Sequence, residues 1–338
     1  MRPNASGVNI VEVSGLSKSF GKLRAVDNVS FEVRTGEIFG FLGPNGAGKS
    51  TTINILTTLL KPSSGNAKVC GYDVYRNANE IRRNVGVVPQ EYTADEDMTG
   101  RENIILCADL YGLPRNISRP HAEELLKLVE LTDAADRKVS TYSGGMRRRL
   151  ELASGLINYP KLLFLDEPTL GLDVQTRTAV WDYIRTLKQD YDMTLFLTTH
   201  YLEEADALCA RVAIIDHGHI VRIGTPAELK ESIGGDVIVI GVVEKTPDIS
   251  SAIGRIKLVK EVKKNDGVYR IKAEQGEEAT PEIIDLIRSK GLHVTRVELT
   301  KPTLDEVYLE YTGRSMREEE TNRQQMFSQR ITMRRARS

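Results

Sequence analysis

One segment, GPNGAGKS at residues 43–50, restricts the fold of this chain more than any other. It fits the pattern G-x-x-x-x-G-K-[ST], in which a glycine-rich loop curls so that successive backbone N–H groups point at phosphate oxygens. The apolar stretch EIFGFL precedes it, and the helix-like stretch TINILTTLL follows it. A strand, a glycine-rich loop and a helix in this order are the context that a phosphate-binding loop requires. The pattern therefore predicts a nucleotide-binding α/β domain.

The residues of this loop have separate expected roles. Lys49 is expected to pair with the β- and γ-phosphates, Ser50 to ligate Mg²⁺, and Thr51 to reach the α-phosphate. The glycines are expected to allow the backbone to approach the phosphates closely. The loop residues expected to bind the nucleotide are Gly43, Pro44, Asn45, Gly46, Ala47, Gly48, Lys49, Ser50 and Thr51.

The segment LLFLDEP at 162–168 supplies a second group of candidate site residues. Its apolar residues predict a buried strand, and two carboxylates follow at the carboxyl end, beside the expected phosphates. Asp166 is expected to hold Mg²⁺ through water, and Glu167 to orient or deprotonate an attacking water. Such a pair is weak evidence alone, but a phosphate-binding loop in the same chain favours the functional interpretation.

Apolar strands alternate with helix-like segments along much of the chain. NVGVVPQ at 84–90, KLLFLDEP at 161–168 and MTLFLTTH at 193–200 read as strands, and WDYIRTLKQD at 181–190 reads as an amphipathic helix. Near-continuous apolar strands that alternate with helices imply a parallel sheet covered on both faces. Residues 211–225 are expected to form a hairpin that closes the domain.

Composition and charge exclude several classes of protein. The chain has 338 residues, which suggests about two domains. Its formal net charge of −1 argues against a globally basic nucleic-acid binder, so no nucleic-acid partner is expected. Three cysteines, at 70, 107 and 209, exclude a disulfide scaffold. The longest apolar run, VIVIGVV at 237–243, is too short to span a membrane, and MRPNASGVNI lacks the apolar core of a secretory signal. A soluble, cytosolic chain is expected.

A third segment narrows the possibilities to one superfamily. TYSGGMRRRLELASGL at 141–156 resembles the signature motif of the ATP-binding cassette (ABC) superfamily, whose usual core is LSGGQ. Ser143, Gly144 and Gly145 stand at the matching positions, while Tyr142 replaces Leu and Met146 replaces Gln. The resemblance implies that this motif binds the ATP held by the phosphate-binding loop of a partner subunit. A capping hydroxyl and two glycines at a helix start suit an anion.

Four more landmarks of the superfamily occur in order. Phe20, in SKSFG, matches the aromatic residue that stacks on adenine, and Gln90, in VVPQ, matches the glutamine that touches Mg²⁺ or water and senses the transport partner. Asp173, in TLGLD, matches the carboxylate of the loop that crosses the dimer interface. His200, in LTTHYLEEA, matches the histidine that contacts the γ-phosphate. His217 and the neighbouring His219 are expected to be surface residues of a turn.

The resemblance to the superfamily covers residues 8–235, and the C-terminal part adds a finer one. KPTLDEVYLEYTGR at 301–314 is similar to the closing helix of ATPases from ABC-2-type exporters, notably the daunorubicin-resistance type. The resemblance implies the α/β fold of a P-loop NTPase, an ABC ATPase domain with a mixed sheet core and a helical subdomain, followed by a small C-terminal α+β domain. The ATPase domain is expected over 1–235, with a helical signature subdomain at about 91–160.

The C-terminal domain is expected over 236–314, and residues 315–338 are expected to be a flexible basic tail. A linker is expected near Gly234 and Gly235. Local patterns predict the following elements: a long helical region over 100–135, strands over 236–244, 267–274 and 292–299, a helix over 281–290, and capping boxes at TPAE (225–228) and TLDE (303–306).

The resemblance also implies partners. Each chain carries one phosphate-binding loop and one signature motif, so two copies are expected to form a head-to-tail homodimer that holds two Mg-ATP. Glu167, His200 and Lys49 are the implied catalytic residues, with Ser50, Gln90 and Asp166 around Mg²⁺. A separate transmembrane permease, as two copies or a fused pair, is expected to hold the dimer at the cytoplasmic face of the membrane. The implied function is the ATP-hydrolysing subunit of an exporter for a drug or lipid-like substrate.

Two other functions share features with this sequence. An ABC-type ATPase that serves a soluble partner in translation, repair or cluster assembly shares the fold, but the chain has a single cassette and no long coiled-coil insertion. A P-loop kinase or GTPase is disfavoured by SGGM at 143–146 and by His200. The transport subunit is therefore the favoured interpretation, and the soluble-partner ATPase is the alternative.

Overall fold

The computed structural model describes residues 8–243, 248–265 and 267–316. The chain divides into two compact units, 1–223 and 224–338. The division lies before the position expected from the sequence, because the helix over Pro226–Glu231 packs against the last helix of the second unit. Most of the expected basic tail lies outside the described residues.

The first unit contains two sheets and a set of helices. Its described strands are β1 (Asn9–Phe20), β2 (Leu23–Arg34), β3 (Ile38–Leu42), β4 (Ser64–Val69), β5 (Tyr72–Asp73), β6 (Val85–Val88), β7 (Leu162–Asp166), β8 (Thr194–Thr199), β9 (Arg211–Asp216) and β10 (His219–Gly224). Its described α-helices are α1 (Lys49–Leu56), α2 (Ala78–Asn84), α3 (Gly100–Leu110), α4 (Arg115–Leu128), α5 (Gly144–Leu156), α6 (Val174–Tyr191) and α7 (Leu202–Leu208).

The larger sheet confirms the expected parallel core. Its order is β10-β9-β3-β8-β7-β6, and the pairs of β3 with β8 and β9, of β7 with β8, and of β6 with β7 are parallel. A two-residue turn, His217 and Gly218, joins β9 to β10, and both residues have positive φ, as the tight turn of a hairpin requires. A second, antiparallel sheet has the order β2-β1-β4-β5.

The main core of the first unit lies between these two sheets. Every residue of β3, β7 and β8 is buried, as their continuous apolar sequences predict. Phe196 of β8 packs against four other rings, with centroids 5.4–6.0 Å apart; these rings belong to Phe31, Phe39, Phe41 and Phe164. Since β3, β8 and β7 are neighbours and parallel, the loops at their carboxyl ends emerge at one edge of the sheet.

The region over 100–135, which was expected to be helical, contains two helices joined by a turn. Helix α3 ends at Leu110, and α4 begins at Arg115. Gly112 adopts a left-handed φ of 72°, and Pro114 precedes the first residue of α4, so the helix cannot continue through this turn. A capping box between Thr99 and Glu102 fixes the start of α3.

The second unit is the expected α+β domain with one more strand than the sequence predicted. Its described elements are α8 (Pro226–Glu231), β11 (Asp236–Val242), α9 (Ser250–Ile253), β12 (Val259–Asn265), β13 (Val268–Ala273), α10 (Gly276–Ser289), β14 (Val294–Thr300) and α11 (Leu304–Thr312). The sheet order is β12-β13-β11-β14, with antiparallel pairs. Both expected capping boxes, Thr225 with Glu228 and Thr303 with Glu306, are present. Strand β12 escaped prediction because its sequence, VKEVKKN, is mostly charged.

Within the described ranges, none of the helices combines the length and apolar character needed to cross a bilayer.

Candidate nucleotide-binding site

The phosphate-binding loop connects the buried end of β3 to the start of α1. The Gly43 N–H donates to the carbonyl of Thr199, at the end of β8, over 3.2 Å. A Cβ at Gly43 would lie 2.2 Å from the carbonyl oxygen of Ile215, so no larger residue fits there. Gly48 has a φ of 106°, and a Cβ there would lie 2.3 Å from the carbonyl oxygen of Ala25. Both glycines are therefore needed for the path of the loop.

Lys49 is the first residue of α1 and its ammonium group lies inside the loop. Its Nζ donates to the carbonyls of Gly43 at 2.7 Å and Pro44 at 3.1 Å. The same atom lies 2.9 Å from Oε1 of Glu167, and both side chains are 4% exposed. An ammonium group has three donors, so all three are in use. The structure thus brings the loop lysine and the second strand-end carboxylate together.

Glu167 joins three neighbouring elements. Its backbone has a φ of 49°, and its N–H donates to both the carbonyl and the hydroxyl oxygen of Thr198, at 3.1 Å each. Its Oε2 lies 2.9 Å from Nδ1 of His200. Burial raises the pKa of the Glu167 carboxyl, but His200 and Lys49 together lower it by more than burial raises it. The pKa of Glu167 therefore lies below its ordinary value. A carboxylate that stays ionised can accept a proton or orient a water.

Asp166 lies at the end of β7, opposite Thr198 of β8 in the parallel pairing. The Thr198 hydroxyl donates to Oδ1 of Asp166. Burial raises the pKa of Asp166, while hydrogen bonds from the Thr198 and Ser50 hydroxyls oppose that rise. A carboxylate beside the first turn of α1 and the Ser50 hydroxyl form a pair of hard oxygen donors. These two groups are therefore next to each other, as expected.

The signature segment, residues 141–156, begins helix α5 and lies apart from this cluster. Ser143 caps α5, because its Oγ accepts a hydrogen bond from the N–H of Met146 at 3.3 Å. Ser143 and Gly144 are exposed. A Cβ at Gly145 would lie 2.6 Å from the Thr176 methyl group, so this glycine allows α5 to pack closely on α6. In the part of the chain that the structure describes, the Ser143 hydroxyl hydrogen-bonds within α5 and not to the phosphate-binding loop.

The other landmarks lie at exposed positions. Phe20 ends β1 with 47% of its surface exposed, and the Lys18 ammonium lies 5.1 Å from its ring centroid. Gln90 is exposed just after β6. Asp173 is the N-cap of α6: its two carboxylate oxygens accept from the N–H and the hydroxyl of Thr176, at 2.9 and 2.8 Å. The Asp173 pKa is lowered, chiefly by the backbone hydrogen bond from Thr176.

Two contacts that sequence patterns did not indicate hold Gln90 in place. The buried guanidinium group of Arg148, on α5, donates to the carbonyl of Gln90 at 2.8 Å and to that of Pro89 at 2.7 Å. Glu151, one turn later, accepts from the N–H of Thr93 at 2.6 Å. A buried arginine and glutamate in RRRLELA carry a weak signal, since such residues are rarely buried unless paired.

Each of the two units matches a known protein family. Residues 26–170 match the family model described as ABC transporter, and residues 224–312 match that described as ATP-binding protein DrrA1-3-like, C-terminal domain. The daunorubicin resistance ATP-binding protein DrrA3 of Streptomyces coeruleorubidus is 39% identical over 311 residues, which cover 92% of this chain and 98% of that protein. The chain belongs to the ABC transporter ATP-binding family.

Other members of the ABC family agree with this assignment. The linearmycin resistance ATP-binding protein LnrL of Bacillus subtilis is 34% identical over 312 residues, which cover 91% of this chain and all of that protein. A solved ATP-binding subunit of an ABC transporter has a TM-score of 0.60 at 28% identity, and covers 67% of this chain and 93% of its own. A cassette dimer bound to ADP and Pi has a TM-score of 0.58 at 27% identity, and covers 64% and 98%.

The ABC assignment confirms the expected fold class, an ABC ATPase domain followed by a small C-terminal domain. The protein is an ATPase, the ATP-hydrolysing subunit of an ABC transporter. The alternative of an ATPase that serves a soluble partner is not favoured.

Proposed function

We propose that this subunit hydrolyses Mg-ATP at a site built from residues 43–51, Asp166, Glu167 and His200, and that this drives export through a separate permease. The observation that carries the proposal is the buried contact of Glu167 with both Lys49 and His200 at 2.9 Å. The Glu167 carboxylate contacts the lysine of the phosphate-binding loop and a histidine that directly follows the neighbouring strand β8. Phosphoryl transfer to water needs such a group beside the phosphates.

The residues present suit Mg²⁺. Magnesium is usually held by one or two carboxylates together with the phosphates of its nucleotide, so it does not need a cage of protein ligands. Asp166 and the Ser50 hydroxyl fit that donor set, and no cluster of three or more ligating residues occurs in the part of the chain that the structure describes. Gln90 would complete the site. When bound, the ion would offset negative charge on the phosphate oxygens.

Each residue of the site then has a role that follows from its contacts. Lys49 and the N–H groups of the loop bind phosphate oxygens, while exposed Phe20 offers its ring to adenine. Glu167 accepts the hydrogen bond of the attacking water and holds its proton. His200 keeps that carboxylate in place through Nδ1 and stabilises charge on the transferring group.

The signature motif is proposed to act on the ATP of a second copy. Exposed Ser143 and Gly144 lie at the start of α5, where the backbone N–H groups and the positive end of the helix dipole favour a phosphate. Two copies in head-to-tail arrangement would place this motif over the loop of the partner, so that two ATP molecules lie in a homodimer. A solved cassette bound to ADP and Pi, 27% identical to this chain, is dimeric, which supports the formation of a dimer.

We place the permease contact on the helical subdomain, about residues 91–160. A groove of about 810 Å³ lies between α3 and α4. Met98, Ile105 and Leu106 give it apolar surface, and Arg101, paired with Asp136, adds charge. An amphipathic helix of a permease would suit such a groove, because its apolar face would meet the floor and its polar face the rim. The subunit would then lie at the cytoplasmic face of the membrane.

The relatives named for daunorubicin, doxorubicin and linearmycin resistance support export of a drug-like or lipid-like small molecule. The ATPase domain, 1–235, would supply the energy, and 236–314 would be an accessory domain before the basic tail.

Hydrolysis by the Glu167→Gln variant tests this proposal. Turnover should fall by at least about 100-fold, because the general base is lost, while ATP binding is retained and an ATP-dependent dimer accumulates on size-exclusion chromatography. Glu80→Gln, at an exposed carboxylate on α2, is the matched control and should hydrolyse ATP normally. Normal turnover in Glu167→Gln would contradict the role of this carboxylate.

A further inference from the structure

Glu204 is a buried carboxylate that the proposed reaction does not use. It lies on α7, four residues after His200, and its relative exposure is 0%. Its Oε1 accepts hydrogen bonds from the Thr169 hydroxyl at 2.8 Å and from the Trp181 indole N–H at 2.9 Å. Burying a carboxylate costs free energy because the group loses its hydration, so a buried Glu204 needs hydrogen-bond partners that offset this loss.

The two donors come from different elements. Thr169 belongs to the loop that leads from Glu167 to Asp173, and Trp181 lies on α6, two turns after its cap at Asp173. Glu204 itself lies in the first turn of α7, which follows His200. One oxygen atom therefore joins the loop after β7, helix α6 and the segment after β8.

A second contact ties the same elements together. The Arg177 guanidinium carbon, one turn before Trp181 on α6, lies 4.2 Å from the ring centroid of Tyr201. The Tyr201 ring in turn lies 4.1 Å from the ring of His200. Helix α6 thus contacts the segment that follows His200 at two points, Tyr201 and Glu204.

We propose that Glu204 is a positioning residue for ATP hydrolysis. It holds the segment from Glu167 to Asp173 in a fixed position relative to His200. When a bound partner subunit displaces Asp173, that movement therefore changes the contact between His200 and Glu167. This inference rests on the proposed function, since it needs both the composite site and the roles of these residues. This positioning role depends on Oε1 of Glu204 as a hydrogen-bond acceptor and not on the charge of the side chain.

Three substitutions separate the parts of this proposal. Glu204→Ala removes the acceptor, and kcat should fall by about 10- to 100-fold, because small misplacements of catalytic groups are costly. The KM for ATP should stay within about twofold, because no residue that contacts the nucleotide changes. Glu204→Gln keeps an oxygen acceptor at this position and should restore most of kcat. Glu282→Gln, at an exposed carboxylate on α10, is the matched control and should behave as the wild type.

Trp181 offers a readout that a general loss of packing would not imitate. It is the sole tryptophan of the chain, so its emission reports on this junction alone. ATP should change the Trp181 emission in the wild type and in Glu204→Gln, and that response should disappear in Glu204→Ala while ATP still binds. Should Glu204→Ala fail to fold, Thr169→Val removes one donor with little change in volume and should lower kcat with KM retained.

The outcomes distinguish this inference from the function on which it rests. Wild-type kcat in Glu204→Ala or Thr169→Val, or a loss in Glu204→Gln as large as that in Glu204→Ala, would overturn the positioning role. If Glu167→Gln instead hydrolyses ATP normally, the proposed catalytic assignment fails, whatever Glu204 does.

Discussion

Nζ of Lys49 lies 2.9 Å from Oε1 of Glu167 in a buried ion pair. Its two other donors are used by the carbonyls of Gly43 and Pro44. A phosphate oxygen bound by this ammonium must therefore replace one of three existing partners. If Glu167 is the partner replaced, phosphate binding also releases the oxygen of the general base, so binding and activation are coupled at one atom.

Lys49→Met tests this coupling. The change removes the ammonium and leaves the Glu167 charge buried with one partner fewer, so ATP turnover should fall by at least about 100-fold. ATP affinity, measured by equilibrium dialysis with Mg²⁺, should fall with it. Lys188→Met, at a partly exposed lysine on α6, serves as the control and should change neither quantity. Retained affinity in Lys49→Met would show that the loop binds phosphate without its ammonium group.

Asp173 allows the capping and interface roles to be separated. Its carboxylate caps α6, and asparagine caps nearly as well as aspartate, whereas alanine does not. We expect Asp173→Ala to lower the melting temperature, and Asp173→Asn to leave it unchanged. If the charge also acts at a dimer interface, Asp173→Asn should still weaken ATP-dependent dimerisation, measured by light scattering. Unchanged dimerisation in Asp173→Asn would show that the Asp173 charge has no role at the dimer interface.

The buried Glu204 carboxyl predicts a distinct pH dependence of stability. Burial raises its pKa above the ordinary value of about 4.3, although the nearby donors and Arg177 oppose the rise. The folded protein therefore binds this proton more tightly than the unfolded chain, and the resulting stability is lost as pH rises from the ordinary pKa through the raised one. Among the described residues, Arg148 and Cys209 also interact electrostatically with Glu204.

A comparison of the wild type with Glu204→Gln isolates this effect, because glutamine does not titrate. The melting temperature of the wild type relative to the variant should decrease as pH rises from about 4. A difference that is constant with pH, or one that increases, would contradict the raised pKa.

Phe196 tests the core that supports the site. This side chain lies in β8, the strand that leads to Thr198 and His200, and it packs on four rings from other strands. Phe196→Ala should lower the free energy of unfolding by about 3–5 kcal/mol in urea titrations. Leu110→Ala, at a residue 79% exposed, should change it by less than about 0.5 kcal/mol. A small effect of Phe196→Ala would mean that the core repacks around the missing ring.

Sequence reasoning succeeded where the information is local. The phosphate-binding loop, the strand before Asp166 and the two capping boxes each lie within about ten residues, and each has one structural solution. The parallel sheet followed from strands that are apolar throughout. The order in which those strands lie was not predicted, because no local pattern specifies which strands become neighbours.

Sequence reasoning failed where a role depends on pairing between distant segments. Thr198 donates to Asp166 and accepts from Glu167 because β7 and β8 pair with Asp166 opposite Thr198, across 32 residues of chain. Nothing in LTTH specifies that register. Glu204 escaped notice for the same reason, since its partners lie 23 and 35 residues away and the sequence around it reads as an exposed acidic helix.

The central claim is that each ATP site combines Lys49 of one copy with Ser143 of another. Two inactive variants, Lys49→Met and Ser143→Arg, test it directly when their ATP turnover is measured separately and after mixing. In a head-to-tail dimer the mixed pair contains one intact site, so mixing should restore up to about a quarter of wild-type turnover, because half the dimers are mixed and each has one of two sites. No recovery from a mixture shown to exchange subunits would contradict the composite site.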